Sequence, residues 1–112
     1  MKIWKRAEKH YTEYLSLNLW PAVRKSTGLR GEAVEDISWG PVSVEVKCRK
    51  SVPQYLWDWL IQAEKNRNGK IPMVLLHKDG ERMNKGVAIL SLEWLILLLN
   101  EIHSQKEVKD DA

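Results

Sequence analysis

Asp36, Glu45 and Lys47 are the residues whose types and spacing could do chemistry, and they lie within one short stretch, Asp36-Ile-Ser-Trp-Gly-Pro-Val-Ser-Val-Glu-Val-Lys47. With Gly40-Pro41 at the centre of a tight turn, Trp39 faces Val42 and Asp36 comes opposite Glu45. Opposed residues on antiparallel strands point to the same face, with Cβ atoms roughly 4.5–5.5 Å apart. Lys47 is two residues beyond Glu45 and shares that face. Two carboxylates held so close repel each other unless a cation lies between them. A divalent ion with an ammonium group alongside relieves the conflict, and the chemistry it supplies is metal-assisted hydrolysis. The reading depends on the turn: a three-residue turn with no compensating bulge puts Asp36 on the opposite face.

The elements that must position these residues follow from periodicity and from Gly/Pro punctuation. Residues 3–19 read as a helix, with Ala7, Tyr11, Tyr14, Leu15 and Leu19 near one side, ended by Pro21. A short extended piece at Ala22-Val23 follows, then a basic, glycine-bearing loop from Ser26 to Gly31. The hairpin spans Ala33–Trp39 and Val42–Arg49, where Val44, Val46 and Cys48 alternate with Ser43, Glu45, Lys47 and Arg49 as a dry face and a wet face. Ser51 and Gln54 resemble a capping box for a helix from about Pro53 to Arg67, with Gly69 as its left-handed cap. Ile71–His77 and Gly86–Leu90 read as strands about a Lys78-Asp79-Gly80 turn, and Ser91 caps a last helix to about His103. The spacing therefore predicts an α/β fold, a central mixed sheet flanked by helices, as a single domain over residues 1–103 with a polar, frayed tail at 104–112.

Composition narrows the partner class. The 112 residues carry a net charge of +3, and four of the acids lie in residues 101–112, so the first hundred residues are more basic than the total suggests. That excess suits a polyanion. Cys48 is the only cysteine, which excludes an internal disulfide and a thiolate zinc cluster and points to a reducing cytoplasm. The N-terminal residues are charged and show no signal-peptide core, and no apolar run approaches the roughly 20 residues of a membrane span. His10, His77 and His103 show no metal-ligand spacing.

Six tryptophans and no phenylalanine make Trp the core aromatic. Trp39, at the hairpin tip, is the exception expected to be exposed, where its indole could stack on a base. Trp57 and Trp59 differ by two and cannot share one face of a helix. Residues 94–99, Trp-Leu-Ile-Leu-Leu-Leu, are apolar all round, more than one buried stripe requires. A homodimer through this C-terminal helix is the expected use of the surplus, against the alternative of a helix sandwiched within its own domain.

Asp36 followed at this distance by Glu45-Val46-Lys47 on an apolar strand resembles the PD-(D/E)xK nuclease superfamily. Arg6-Ala7-Glu8 on the first helix is similar to the Arg-Ala-Glu motif of archaeal and phage Holliday junction resolvases, and the segment Arg24-Lys-Ser-Thr-Gly-Leu-Arg-Gly31 resembles their basic loop. The resemblance covers roughly residues 4–78; Glu35 stands where the family name has proline. It implies a restriction-endonuclease-like αβββαβ core plus a C-terminal helix. It also implies Mg²⁺ or Mn²⁺ as cofactor, held by Asp36, Glu45 and the Val46 carbonyl, with Glu8 at a second metal or its water. Lys47 would orient the attacking water and steady charge on the phosphate. Glu13 competes with Glu8 for the helical role, and the Arg-Ala-Glu context favours Glu8. Arg24, Lys25, Arg30, Trp39, Arg49 and Lys50 are the candidate DNA contacts, with Gln54 or Gln62 at the site edge. The implied activity is hydrolysis of branched or junction DNA. The alternatives are a general phage-type flap or single-strand nuclease, a non-catalytic DNA-binding module on the same fold, and a small interaction domain.

Overall fold

The computed structural model describes residues 3–25 and 35–111. The described residues form a small mixed α/β fold with three α-helices and two antiparallel sheets. The chain packs as two compact units, residues 1–50 and 51–112. Among the described residues no helix is long and apolar enough to cross a membrane.

The first unit opens with helix α1, Ile3–Ser16. Its inward line is Glu8, Thr12 and Leu15, spaced at helical intervals, whereas Tyr11 and Tyr14 of the expected apolar side are exposed. The helix ends three residues short of Leu19, which instead takes a left-handed φ of 62° in the turn before Pro21. Ser16 Oγ accepts the Ala22 N–H at 3.0 Å, tying the helix end to strand β1, Ala22–Arg24. Strands β2, Ile37–Trp39, and β3, Val42–Val44, complete an antiparallel sheet in the order β1-β2-β3. Ile37 and Trp39 point from one side of β2 into the core with Leu15.

The β2–β3 connection is the two-residue Gly40-Pro41 turn, with Trp39 paired to Val42 as expected. Gly40 has φ +54°, the left-handed value that the first central position of a type II′ turn requires. Space demands glycine too: a Cβ at residue 40 would lie 2.6 Å from Trp20 Cγ. Gly40→Ala should therefore cost about 2 kcal/mol or more, strain and overlap together, read as a lower urea midpoint at unchanged m-value.

The second unit runs α2, Gln54–Lys65; β4, Val74–Leu76; a 3-10 turn, Met83–Lys85; β5, Val87–Ile89; and α3, Leu92–Asp111. The capping box is absent. Pro53 occupies the N-cap and makes no side-chain cap bond, and the Gln54 amide donates to Asp58 Oδ1 at 3.2 Å. Asn66 closes α2, and Gly69 takes its left-handed φ of 77° three residues later. Ser91 accepts the Leu95 N–H on its carbonyl, the backbone role of a cap, but its hydroxyl bonds nothing. The tail expected to fray from residue 104 continues α3 to Asp111.

The strands do not form one mixed sheet. β4 pairs antiparallel with β5, Val74 opposite Ile89, as a separate two-stranded sheet. Ten residues separate these strands and Gly80, at φ +87°, lets the chain reverse, whereas a parallel partner needs a longer crossover. The strands are also shorter than their apolar runs: β3 stops at Val44, and residues 45–49 join no ladder.

Candidate active site

The β2–β3 ribbon carries Asp36, Glu45 and Lys47 at the end away from its turn. Pairing proceeds from Trp39–Val42 through Ser38–Ser43 to Ile37–Val44. There the pattern shifts by one residue: the Asp36 N–H donates to the Val44 carbonyl at 3.1 Å, so Asp36 and Ile37 both lie against Val44. Two residues against one is the arrangement of a β-bulge, which re-aims the side chain at its first position. Across the sheet, the Asp36 carbonyl accepts the Lys25 N–H at 3.0 Å, fixing the bulge from the β1 side.

The re-aimed carboxylate reaches the segment that follows β3. Asp36 Oδ2 accepts the Val46 N–H at 2.8 Å, a short charge-assisted bond to the residue between Glu45 and Lys47. Glu45 Oε2 and Lys47 Nζ are 3.6 Å apart, with side chains 59% and 73% exposed. An ion pair this open contributes little to stability and can rearrange around a ligand. The Ser43 hydroxyl donates to Glu35 Oε2 at 3.0 Å. Glu35, met in the sequence only as a departure from a motif, thus adds a carboxylate to the same ribbon; without the bulge, parity puts it on the Ile37 face, away from Ser43, so the spacing carried no signal for it.

Glu8 is placed differently from its expected role. Only 5% exposed, it accepts both Arg24 Nη2, at 3.0 Å, and Arg24 Nε, at 3.2 Å, on Oε2. The pair fastens α1 to β1, so the carboxylate expected to face a second metal and the guanidinium expected to face DNA hold each other. A buried carboxylate needs such a partner. Truncating either residue leaves the other uncompensated; because Arg24 is 29% exposed, the loss should fall below the roughly 3–5 kcal/mol of a fully buried pair. A Glu8→Ala, Arg24→Ala double-mutant cycle should return a coupling of about 1–3 kcal/mol in unfolding free energy.

Trp39 corrects the expectation of an exposed indole. It is 1% exposed, and its Nε1 donates to the carbonyls of Leu15, at 3.0 Å, and Asn18, at 3.1 Å. Trp20 meets it edge-on with ring centroids 5.2 Å apart. Buried this way it ties α1 to the sheet and has no surface for a base. Lys25, Arg49 and Lys50 are exposed, while Arg30 lies outside the described residues.

Among the described residues no group of three or more His, Cys, Asp or Glu side chains is arranged to hold a metal ion. The donors expected to hold an ion are the carboxylates of Asp36 and Glu45 and the Val46 carbonyl, with Glu35 a further carboxylate on the ribbon. All are hard oxygens, the ligands that Mg²⁺ and Mn²⁺ take, and none is the nitrogen or sulfur that zinc prefers. Gln54 and Gln62 belong to α2 in the second unit. No protein-family model, no curated protein and no solved structure matches this chain.

Proposed function

We propose that this chain is a Mg²⁺- or Mn²⁺-dependent DNA endonuclease of the PD-(D/E)xK kind, selective for branched or junction DNA. The reading is carried by one observation, the 2.8 Å bond from the Val46 N–H to Asp36 Oδ2. It anchors the carboxylate just before β2 on the Glu45-Val46-Lys47 segment just after β3. Asp36, Glu45 and the Val46 carbonyl would hold the ion, which when bound supplies Lewis acidity and an acidified water. Lys47 would neutralise charge on the phosphate, its exposed ammonium being free to leave Glu45 for a stronger anion. Lys25, Arg49 and Lys50 would take flanking phosphates, positioning the DNA without reading its sequence.

A second reading, a non-catalytic DNA-binding module, is favoured by the mutual pairing of Glu8 with Arg24 and of Glu45 with Lys47. Incubation with labelled duplex, flap and four-way junction DNA, in Mg²⁺ and in EDTA, separates the two. Junction cutting that EDTA stops, and that Glu45→Ala loses while binding persists, is the expected result. Binding to all three DNAs with no cutting would leave only the module. The proposal includes a homodimer through α3, where Leu97 and Ile102 are 53% and 55% exposed. Sedimentation should show a dimer that Leu97→Lys with Ile102→Lys converts to monomer.

A further inference from the structure

We propose that the second unit grips one unpaired base of a single-stranded nucleic acid in the groove between α2 and β4. The groove has a volume of about 420 Å³ and is open to solvent. Pockets of roughly 300–1,000 Å³ take whole small molecules, so one base with its sugar has room. Trp59, Gln62, Ala63 and Asn66 form the helical wall, at the i, i+3, i+4 and i+7 spacing of a single face. Strand β4 supplies an apolar floor from Val74 to Leu76.

The wall groups suit a base and ask for no particular one. Trp59 is braced by Tyr55, with ring centroids 4.9 Å apart. Stacking on an aromatic face tolerates any sequence, because every base has a π-face. The Gln62 and Asn66 side chains are exposed, and an amide donates and accepts at once, so the pair can meet the edge of any base. A base inside a duplex hides its faces and its pairing edge. Only an unpaired one can enter.

Charge decides for nucleic acid over an apolar peptide. Lys65, Arg67 and Lys70 are exposed and fall within six residues that hold no acid, with Asn66 of the groove among them. The α2 dipole accounts for Lys65, in the last turn of the helix. Arg67 and Lys70 lie beyond it. The Arg67 guanidinium is held over the Trp94 ring at 4.7 Å, and its Nη1 donates to the Lys70 carbonyl at 3.4 Å. A fixed cation next to Asn66 suits the phosphate beside a docked base. The inference rests on nucleic acid as the partner, but it requires no cleavage.

The test is an anisotropy titration of the full chain, in EDTA, with labelled oligothymidine and with an abasic strand of equal length. Oligothymidine should bind about tenfold more tightly, the effect of one stacked base. Trp59→Leu should remove that preference and bind the abasic strand as the parent does. Gln62→Ala with Asn66→Ala should narrow the preference about threefold. Should Trp59→Leu lose helix by far-UV circular dichroism, the amide variant decides alone. Lys65→Gln with Lys70→Gln should weaken both strands and flatten the fall of affinity with salt. Equal affinities in the unsubstituted protein would overturn the groove. So would binding of neither strand, as a peptide groove would give, a preference that survives both groove variants, or a salt dependence the lysine variant leaves unchanged. Junction cutting by a protein indifferent to the loss of bases would overturn this inference and leave the nuclease reading standing. Base-dependent binding by a protein that cuts nothing would do the reverse.

Discussion

Trp39→Ala is expected to unfold the first unit or bring it close to unfolding. The substitution removes the largest fully buried side chain among the described residues and takes the indole N–H from the Leu15 and Asn18 carbonyls, which keep the backbone N–H groups of Asn18 and Trp20. Core truncation of an aromatic costs about 3–5 kcal/mol, a large share of the stability of a small domain. Trp39→Phe keeps one ring against Trp20 but loses the N–H and part of the indole's buried volume, so it should cost about 1–3 kcal/mol. Chemical denaturation of both variants measures the difference. DNA affinity of folded Trp39→Phe should match that of the parent; a selective loss of binding at full stability would show that the ring meets the substrate after all.

The largest functional effect is expected at Lys47. Its side chain is mostly exposed and its one described bond is a loose pair with Glu45, so Lys47→Ala should leave the unfolding midpoint almost unchanged. Cleavage should nevertheless fall on the order of 10²–10³-fold, the usual effect of removing one group that stabilises transition-state charge. Lys47→Arg keeps the charge but not the compact ammonium, and should recover only part of the rate. Single-turnover cutting of junction DNA, beside a binding measurement, separates loss of chemistry from loss of affinity. Unchanged cutting in Lys47→Ala would remove the ribbon from the active site.

The ribbon was the most legible part of the sequence because its signals are local. A Gly-Pro turn and period-two alternation sufficed to set Trp39 against Val42. The same parity held the fate of Trp39 itself. It lies on the face of Ile37 and opposite Val42, on the dry side, and its place at the tip was the weaker guide to exposure. Where the determinant was distant, the sequence reading missed it. Glu8 turns inward because Arg24, sixteen residues on, meets it, and nothing within the helix announces that partner. The bulge at Asp36 depends on bonds from both neighbouring strands. The division into two sheets is a matter of which strands pair, which alternation within a strand does not encode.

Gly40 and Trp20 are in effect a lock and its key. No side chain can grow at the ribbon tip while the six-membered ring of that indole lies against the backbone there. Natural homologues should hence change these two positions together: wherever the glycine has given way to a bulkier residue, position 20 should carry something small, and the hairpin should swing closer to the end of α1.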